Sequence, residues 1–418
     1  MTPARALAGA ALCALLAACA AVGPDYHLPE NAAFNAPAAQ KPFLEATPKV
    51  TAAQETRDDW WRLYDDPRLN ALVSEALAAN TTLRVAAANL ERSRAVAQEA
   101  EGAREPRAGV GISVARAQPS GESFLLNEPL PVANMGDVGI QASYQLDLAG
   151  GLKRAVEAAD ADVDAANAAL DVARISIVAD TAQAYVEACA AGEELAIARH
   201  NLALQEAQHA AVEKLVASGR AMKVDIPRAR HQVEQLRAAL PGYAARRRIA
   251  LYRLAALTGR PPAEYPREPE SCERLPTLHQ PIPVGDGATL LRRRPDVRQA
   301  ERSLAGATAR IGIATAALYP SVTLGLSAGY TGLYDDLGLP QTRRWSLGPL
   351  ISWTLPGGEE KARVRQADAN AAAVLARFDT VVLEALRETE SALTLLAHDM
   401  DRAEALRRAR DEAAEARR

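Results

Sequence analysis

The chain has 418 residues, 49% hydrophobic but only 4% aromatic, with a formal net charge of −4. A balance that near neutrality offers no electrostatic footprint for nucleic acid, and no such partner is expected. Alanine dominates and bulky side chains are few, which favours long helices packed closely through small residues over a broad globular core.

Residues 1–18 read as a bacterial export signal. Arg5 supplies the positive start, and Leu7 to Leu16 supply an apolar stretch too short to span a bilayer as a helix. Leu16-Ala17-Ala18-Cys19 then reads as a lipobox, with Cys19 as the lipidated mature N-terminus. Acyl chains on that cysteine would anchor the protein to a membrane at roughly 0.8 kcal/mol per buried methylene. Residues 19–56 are rich in Ala, Pro and Asn without periodicity and read as an extended tether from the lipid.

Pro67 opens a helical stretch whose Leu69, Leu72, Val73, Ala76 and Leu77 share one face, expected to run to about Arg104. Strict alternation follows. Val110, Ile112 and Val114 alternate with Gly111 and Ser113, and Val138 to Leu148 alternate with small polar residues. Later, Val322 to Tyr330 and Trp345 to Leu355 do the same. An apolar face opposite a small polar face is the strand signature, and strands of about 10 residues with this pattern suit a lipid-facing barrel with a wet lumen. Tyr144, Tyr330 and Trp345 stand towards strand ends, where an aromatic girdle would lie. The connections at about 117–136 and 331–344 carry Gly, Pro, Asn and Asp and read as exposed loops.

From Leu152 to Ser218 there is no proline and one glycine, Gly192; from Glu359 to Arg418 there is neither. A helix of about 65 residues is roughly 100 Å long, far more than a compact domain needs. Val156, Val163, Leu170 and Ile177 recur every seven residues, as do Thr181, Ala188, Leu195 and Leu202 at a shifted phase, and Val364, Ala371, Phe378 and Ala385 later on. Sevenfold spacing marks a coiled-coil seam. Around Gly219 the first rod turns back into a helix that stops at Thr258-Gly259, and a Pro-rich connector covers 263–285.

The two halves repeat. At a shift of 214, Arg84, Leu90, Pro106 and Gly111 lie under Arg298, Leu304, Pro320 and Gly325; at 208, Gly150, Lys153 and Thr181 lie under Gly358, Lys361 and Thr389. The domains are therefore read as a first repeat at 57–262 and a second at 286–418. The same shift places a second turn near 427 and the end of its return helix near 470, beyond Arg418. The second repeat is thus expected to stop before its return helix: either the chain is a truncated product, expected to make an unstable or leaky channel, or the protein continues past Arg418.

Four strands leave two open edges, which hydrocarbon does not tolerate. Three copies give 12 strands, an acceptable number for an outer-membrane barrel, continued by a cylinder of long helices. The fold class expected is mainly α with a small β part.

Several runs then carry a family resemblance. Val22-Gly23-Pro24-Asp25-Tyr26, Trp60-Trp61-Arg62-Leu63-Tyr64-Asp65-Asp66-Pro67-Arg68-Leu69, Leu146-Asp147-Leu148-Ala149-Gly150 and Leu291-Arg292-Arg293-Arg294-Pro295-Asp296-Val297-Arg298 resemble the TolC-like outer-membrane factors, in their NodT-type lipoprotein branch. The resemblance implies a homotrimeric efflux channel, lipid-anchored in the outer membrane and extending into the periplasm. Its partners would be a periplasmic adaptor (membrane fusion) protein and an inner-membrane pump of the resistance-nodulation-division class. Ser218, Gly219, Arg220, Ala221, Val224 and Asp225 match the turn that faces the adaptor in that family. Pro227 departs from the pattern but is tolerable near a helix start. Export with a type I secretion partner is the alternative within the same class.

No chemistry-bearing constellation competes. His200, His209, His231 and His279 form no metal or triad pattern, no glycine-rich phosphate loop precedes a helix, and Asp160, Asp162 and Asp164 read as a solvated or lumen-facing helix surface. No catalytic, cofactor or metal site is expected. Cys189 and Cys272 lack a metal-type spacing, and a disulfide between them is not expected.

Overall fold

The computed structural model describes residues 21–46, 51–52, 58–122, 125–278 and 282–416. The export signal and Cys19 lie outside these residues. In chain order the main elements are α1 (Pro67–Ala79), α2 (Thr81–Gly102), β1 (Arg107–Ala117), β2 (Ala133–Leu146), α3 (Gly151–Ala217), α4 (Asp225–Leu257), α5 (Gly287–Arg293), α6 (Pro295–Ala316), β3 (Ser321–Leu333), β4 (Arg343–Ser352) and α7 (Gly358–Glu415). They group into two compact units, each drawing on both repeats. The first takes residues up to Ala32 with 91–166 and 299–381; the second takes 33–90, 167–298 and the chain from Val382.

The first unit holds one antiparallel sheet in the order β1-β2-β3-β4. All four expected strands form, and the loops between them shorten because the ladders run further. Arg116 still pairs with Asn134, and Met135 with Leu333. At the other end two expectations are corrected. Leu148 lies outside β2 because the Asp147 carboxylate accepts the backbone N–H groups of Leu152 (3.0 Å) and Lys153 (2.7 Å), which starts α3 there. Trp353 and Leu355 lie beyond β4, and the Trp353 indole N–H donates instead to the Leu318 carbonyl at 3.1 Å.

The same unit packs α3 and α6 through small residues. Ala158, Ala159, Ala161, Ala305, Ala307 and Ala309 are all buried. Asp162 and Asp164, expected on a solvated or lumen-facing helix surface, are partly exposed and face α6. Asp162 is ion-paired with Arg310, and Asp164 stands 3.9 Å from Arg302, both on α6.

The second unit has the larger core. Leu69, Leu72 and Val73 of α1, Val178, Ala182, Tyr185 and Ala188 of α3, and Leu251 and Leu254 of α4 form one buried cluster, with Trp60, Trp61 and Tyr64 packed against it. The heptad positions Thr181, Ala188 and Leu195 are buried here, as is Ala385 on α7; Ala371 and Phe378, also on α7, are buried in the first unit.

Two sequence expectations fail in this unit. The helix expected from Pro67 to about Arg104 is broken at buried Asn80, which ends α1 and caps α2. Its side-chain carbonyl accepts the N–H groups of Thr82 (2.8 Å) and Leu83 (3.2 Å), and its amide donates to the Leu257 carbonyl (2.9 Å). Arg294, 214 positions on, stands at the matching break between α5 and α6.

Cys189 and Cys272 are joined in a disulfide, contrary to the expectation from sequence. Their Cα atoms lie 4.9 Å apart inside the buried cluster, although 83 residues separate them in sequence. Gly192, the one glycine in the interior of α3, is what admits the connector. A Cβ there would stand 2.2 Å from the Cys272 carbonyl oxygen.

Candidate functional site: a two-faced sheet, an anchor latch and a helical turn

Register across β1–β4 sorts the strands into two faces. Val110, Ile140, Ala328 and Trp345 are in register on one face, with Ile112, Val138, Tyr330 and, at the loop end of β4, Arg343 in the next row. Ala108, Ala142, Leu326 and Leu347 form a third row of that face, and Tyr144 and Leu324 a fourth. This apolar face is open: Val110 is 72% exposed, Ile112 75% and Trp345 79%. A contiguous bare apolar surface of this kind marks a membrane or partner interface. Tyr330 and Tyr144 bracket it, since Tyr144 is in register with Leu324, six residues from Tyr330. That is roughly 20 Å along the strand, close to the height of a barrel's apolar band. The opposite face is small and polar, with Gly109, Gln141, Ser327 and Ser346 in one row.

The Val22–Tyr26 motif is a latch built within the same unit. The Val22 N–H donates to the Ala149 carbonyl at 3.0 Å. Arg154, whose side chain is only 5% exposed, donates to the carbonyls of Val22 (3.1 Å) and Gly23 (3.2 Å) and to the Asp25 carboxylate (2.8 Å). Its remaining nitrogen reaches Glu157 at 2.7 Å. The hydrogen bond from the Arg154 guanidinium and its charge hold the Asp25 carboxyl below the usual carboxylate range. Tyr26 donates its hydroxyl to Glu301 at 2.7 Å, and burial together with that hydrogen bond pushes its phenol pKa up. Gly23 has φ +86°, a conformation that glycine adopts without strain. Sequence reading quoted this motif but missed Arg154, Glu157, Glu301 and Gly312, which receive it. The burial that marks Arg154 as the receiver is a property of the fold and not of the sequence.

The turn between α3 and α4 gathers all six residues singled out there. Gly219 has φ +72° and donates to the Val216 carbonyl at 3.0 Å, while the Arg220 N–H reaches back to Leu215 at 2.9 Å. This pair of bonds is a Schellman ending, which satisfies the last carbonyls of α3. The Ser218 hydroxyl donates to the Leu215 carbonyl at 3.0 Å, and the Asp225 carboxylate accepts the Met222 N–H at 3.1 Å as α4 begins. Ser218, Gly219, Arg220 and Val224 are exposed, and Ala221 and Asp225 half-buried. Pro227 fits the first turn of α4, where no intrahelical N–H is needed. No helix of the described residues is long and apolar enough to cross a membrane.

A family model for outer membrane efflux proteins matches residues 72–260 and 288–418. The chain belongs to the outer membrane efflux protein family.

Nodulation protein T of Rhizobium leguminosarum bv. viciae is 32% identical over 395 residues, covering 94% of this chain and 79% of the relative. The probable outer membrane lipoprotein SilC of Salmonella typhimurium is 29% identical over 388 residues, or 91% and 80% of the two chains. Among solved structures, the outer-membrane channel OprN superposes with a TM-score of 0.85 at 33% identity, covering 93% of this chain and 85% of that one. The protein is thus an outer-membrane efflux channel of TolC-like fold, in a family of channel proteins rather than enzymes.

Proposed function

We propose that three copies of the chain assemble into a lipid-anchored duct that carries small molecules from the periplasm to the exterior, as the outer component of a tripartite efflux pump. The observation that carries this is the sheet: one face open and apolar except at its loop end, where Arg116 and Arg343 stand, and the other small and polar. Because β1 and β4 are its outer strands and run antiparallel to one another, copies can join edge to edge without breaking the antiparallel alternation. Closure removes the edges that hydrocarbon would not tolerate. Three copies supply 12 strands, within the range of outer-membrane barrels.

Cys19 carries the lipid in this reading. The latch supports it, since Val22 to Tyr26 is fixed beside the start of α3 only three residues after that cysteine. The likeness to the lipoprotein SilC points the same way. Ser218, Gly219, Arg220, Ala221, Val224 and Asp225 form the surface that meets a periplasmic adaptor, which joins the channel to an inner-membrane pump of the resistance-nodulation-division class. An exposed, rigidly capped reversal between two long helices is suited to end-on contact.

The native mass of the protein extracted from outer membranes tests this reading. Three chains, each carrying acyl groups at Cys19, are expected. A monomer, or a water-soluble species without lipid, would overturn it.

A further inference from the structure

On the polar face of the sheet, Arg344 of β4 is in register with Gly329 of β3, Gly139 of β2 and Gly111 of β1. Its side chain lies across this glycine row and reaches past β3 to Asp137 on β2. The contact is bidentate: Nε donates to Oδ2 at 2.9 Å and Nη2 to Oδ1 at 2.8 Å. The Thr331 hydroxyl bridges the two, bonded to the Asp137 carboxylate and accepting from Arg344 Nε at 2.7 Å. The bare row makes room for this. A Cβ on Gly139 would stand 3.1 Å from Arg344 Nη2 and 2.8 Å from the Ala328 carbonyl oxygen. Arg107 carries the only other charge on this face of the four strands, four residues from Gly111 towards the helix end, roughly 13 Å away.

We propose that the Arg344–Asp137 pair sets the ionic selectivity of the loop-proximal lumen. This rests on the barrel reading, in which the polar face lines water. Three copies would place three such pairs around the bore at one height. Paired and flat on the wall, each is a short dipole with little far field. Removing one partner leaves a ring of three like charges against a low-dielectric wall, the arrangement by which charged rings select ions in pores. The pair therefore keeps this part of the duct permissive to both signs of solute, while the glycine row keeps it wide.

The test is the reversal potential of the reconstituted full-length channel under a potassium chloride gradient. Asp137→Asn is expected to shift the chloride-to-potassium permeability ratio towards chloride by roughly threefold or more. Arg344→Gln is expected to shift it a comparable amount towards potassium, and the double variant to return close to wild type. Arg344→Lys, which keeps the charge but loses the bidentate geometry, should stay near wild type. A purely structural role would lower oligomer stability in both single variants without shifts of opposite sign. Channels that conduct but show unmoved selectivity, or the same shift in both variants, overturn this inference alone. Absence of any wild-type conductance overturns the barrel reading and the inference with it.

Discussion

Gly23 and Gly312 meet backbone to backbone: a Cβ on Gly23 would lie 2.5 Å from the Cα of Gly312. Behind them, a Cβ on Gly312 would lie 2.7 Å from Cγ of Arg154, the arginine that holds the tether. Two glycines 289 residues apart in sequence thus set how close the segment around Gly23 comes to α6. Gly312→Ala would push Arg154 off its acceptors, and the overpacking is expected to cost about 1–3 kcal/mol. Hydrogen exchange of residues 21–30 should speed up in the variant while exchange in β1–β4 stays unchanged. An unchanged tether would contradict the latch.

The latch should also respond to acid. The folded-state pKa of Asp25 lies below its unfolded value, so its contribution is complete above the usual carboxylate range and fades as pH falls through the folded value. Exchange of the same residues, corrected for intrinsic pH effects, should therefore rise as acid protonates Asp25. Asp25→Asn should remove most of that dependence. Equal pH dependence in both proteins would show that another group governs the tether.

Reading the sequence alone located the elements but not their partners. Alternation in Val138–Leu146 and Val322–Tyr330 and the heptads of α3 were plain, because period 2 and period 7 are local properties of the chain. What failed was long-range or capped. Asn80 breaks a helix whose apolar face continues through it, so periodicity alone misses the break; the Asn-Thr-Thr run at 80–82 is the capping signal that marks it. The Cys189–Cys272 pairing depends on how an 83-residue excursion folds back, which spacing does not encode. For the channel function itself, the two-faced strands were legible; Arg344 and Asp137 were not, being 207 residues apart.

Reduction should matter in the second unit. Closing an 83-residue loop restricts the unfolded chain, and loss of the bond is expected to cost about 3–5 kcal/mol. Thermal unfolding should shift downward with reductant in the wild-type protein. Cys272→Ser should start at the lower value and not respond. Identical melting with and without reductant would mean that the bond carries no stability.

The sheet faces should tolerate charge unequally. Leu326→Arg, in the middle of the apolar face, is expected to cost about 2–4 kcal/mol in the membrane. Ser327→Arg, one residue along on the polar face, should leave assembly intact. Yield of heat-stable oligomer from outer membranes checks the pair, and equal tolerance would argue against a lipid-facing surface.

The most direct test of the central claim is spin-label accessibility at alternate residues of the sheet in the membrane-embedded protein. Cysteines at Ile140, Leu326 and Leu347 should carry labels relaxed by oxygen, which concentrates in lipid. Those at Gln141, Ser327 and Ser346 should respond to a water-soluble nickel complex. Loss of this alternation, with both sets reached from water or both shielded from it, would contradict a sheet that divides lipid from a conducting lumen.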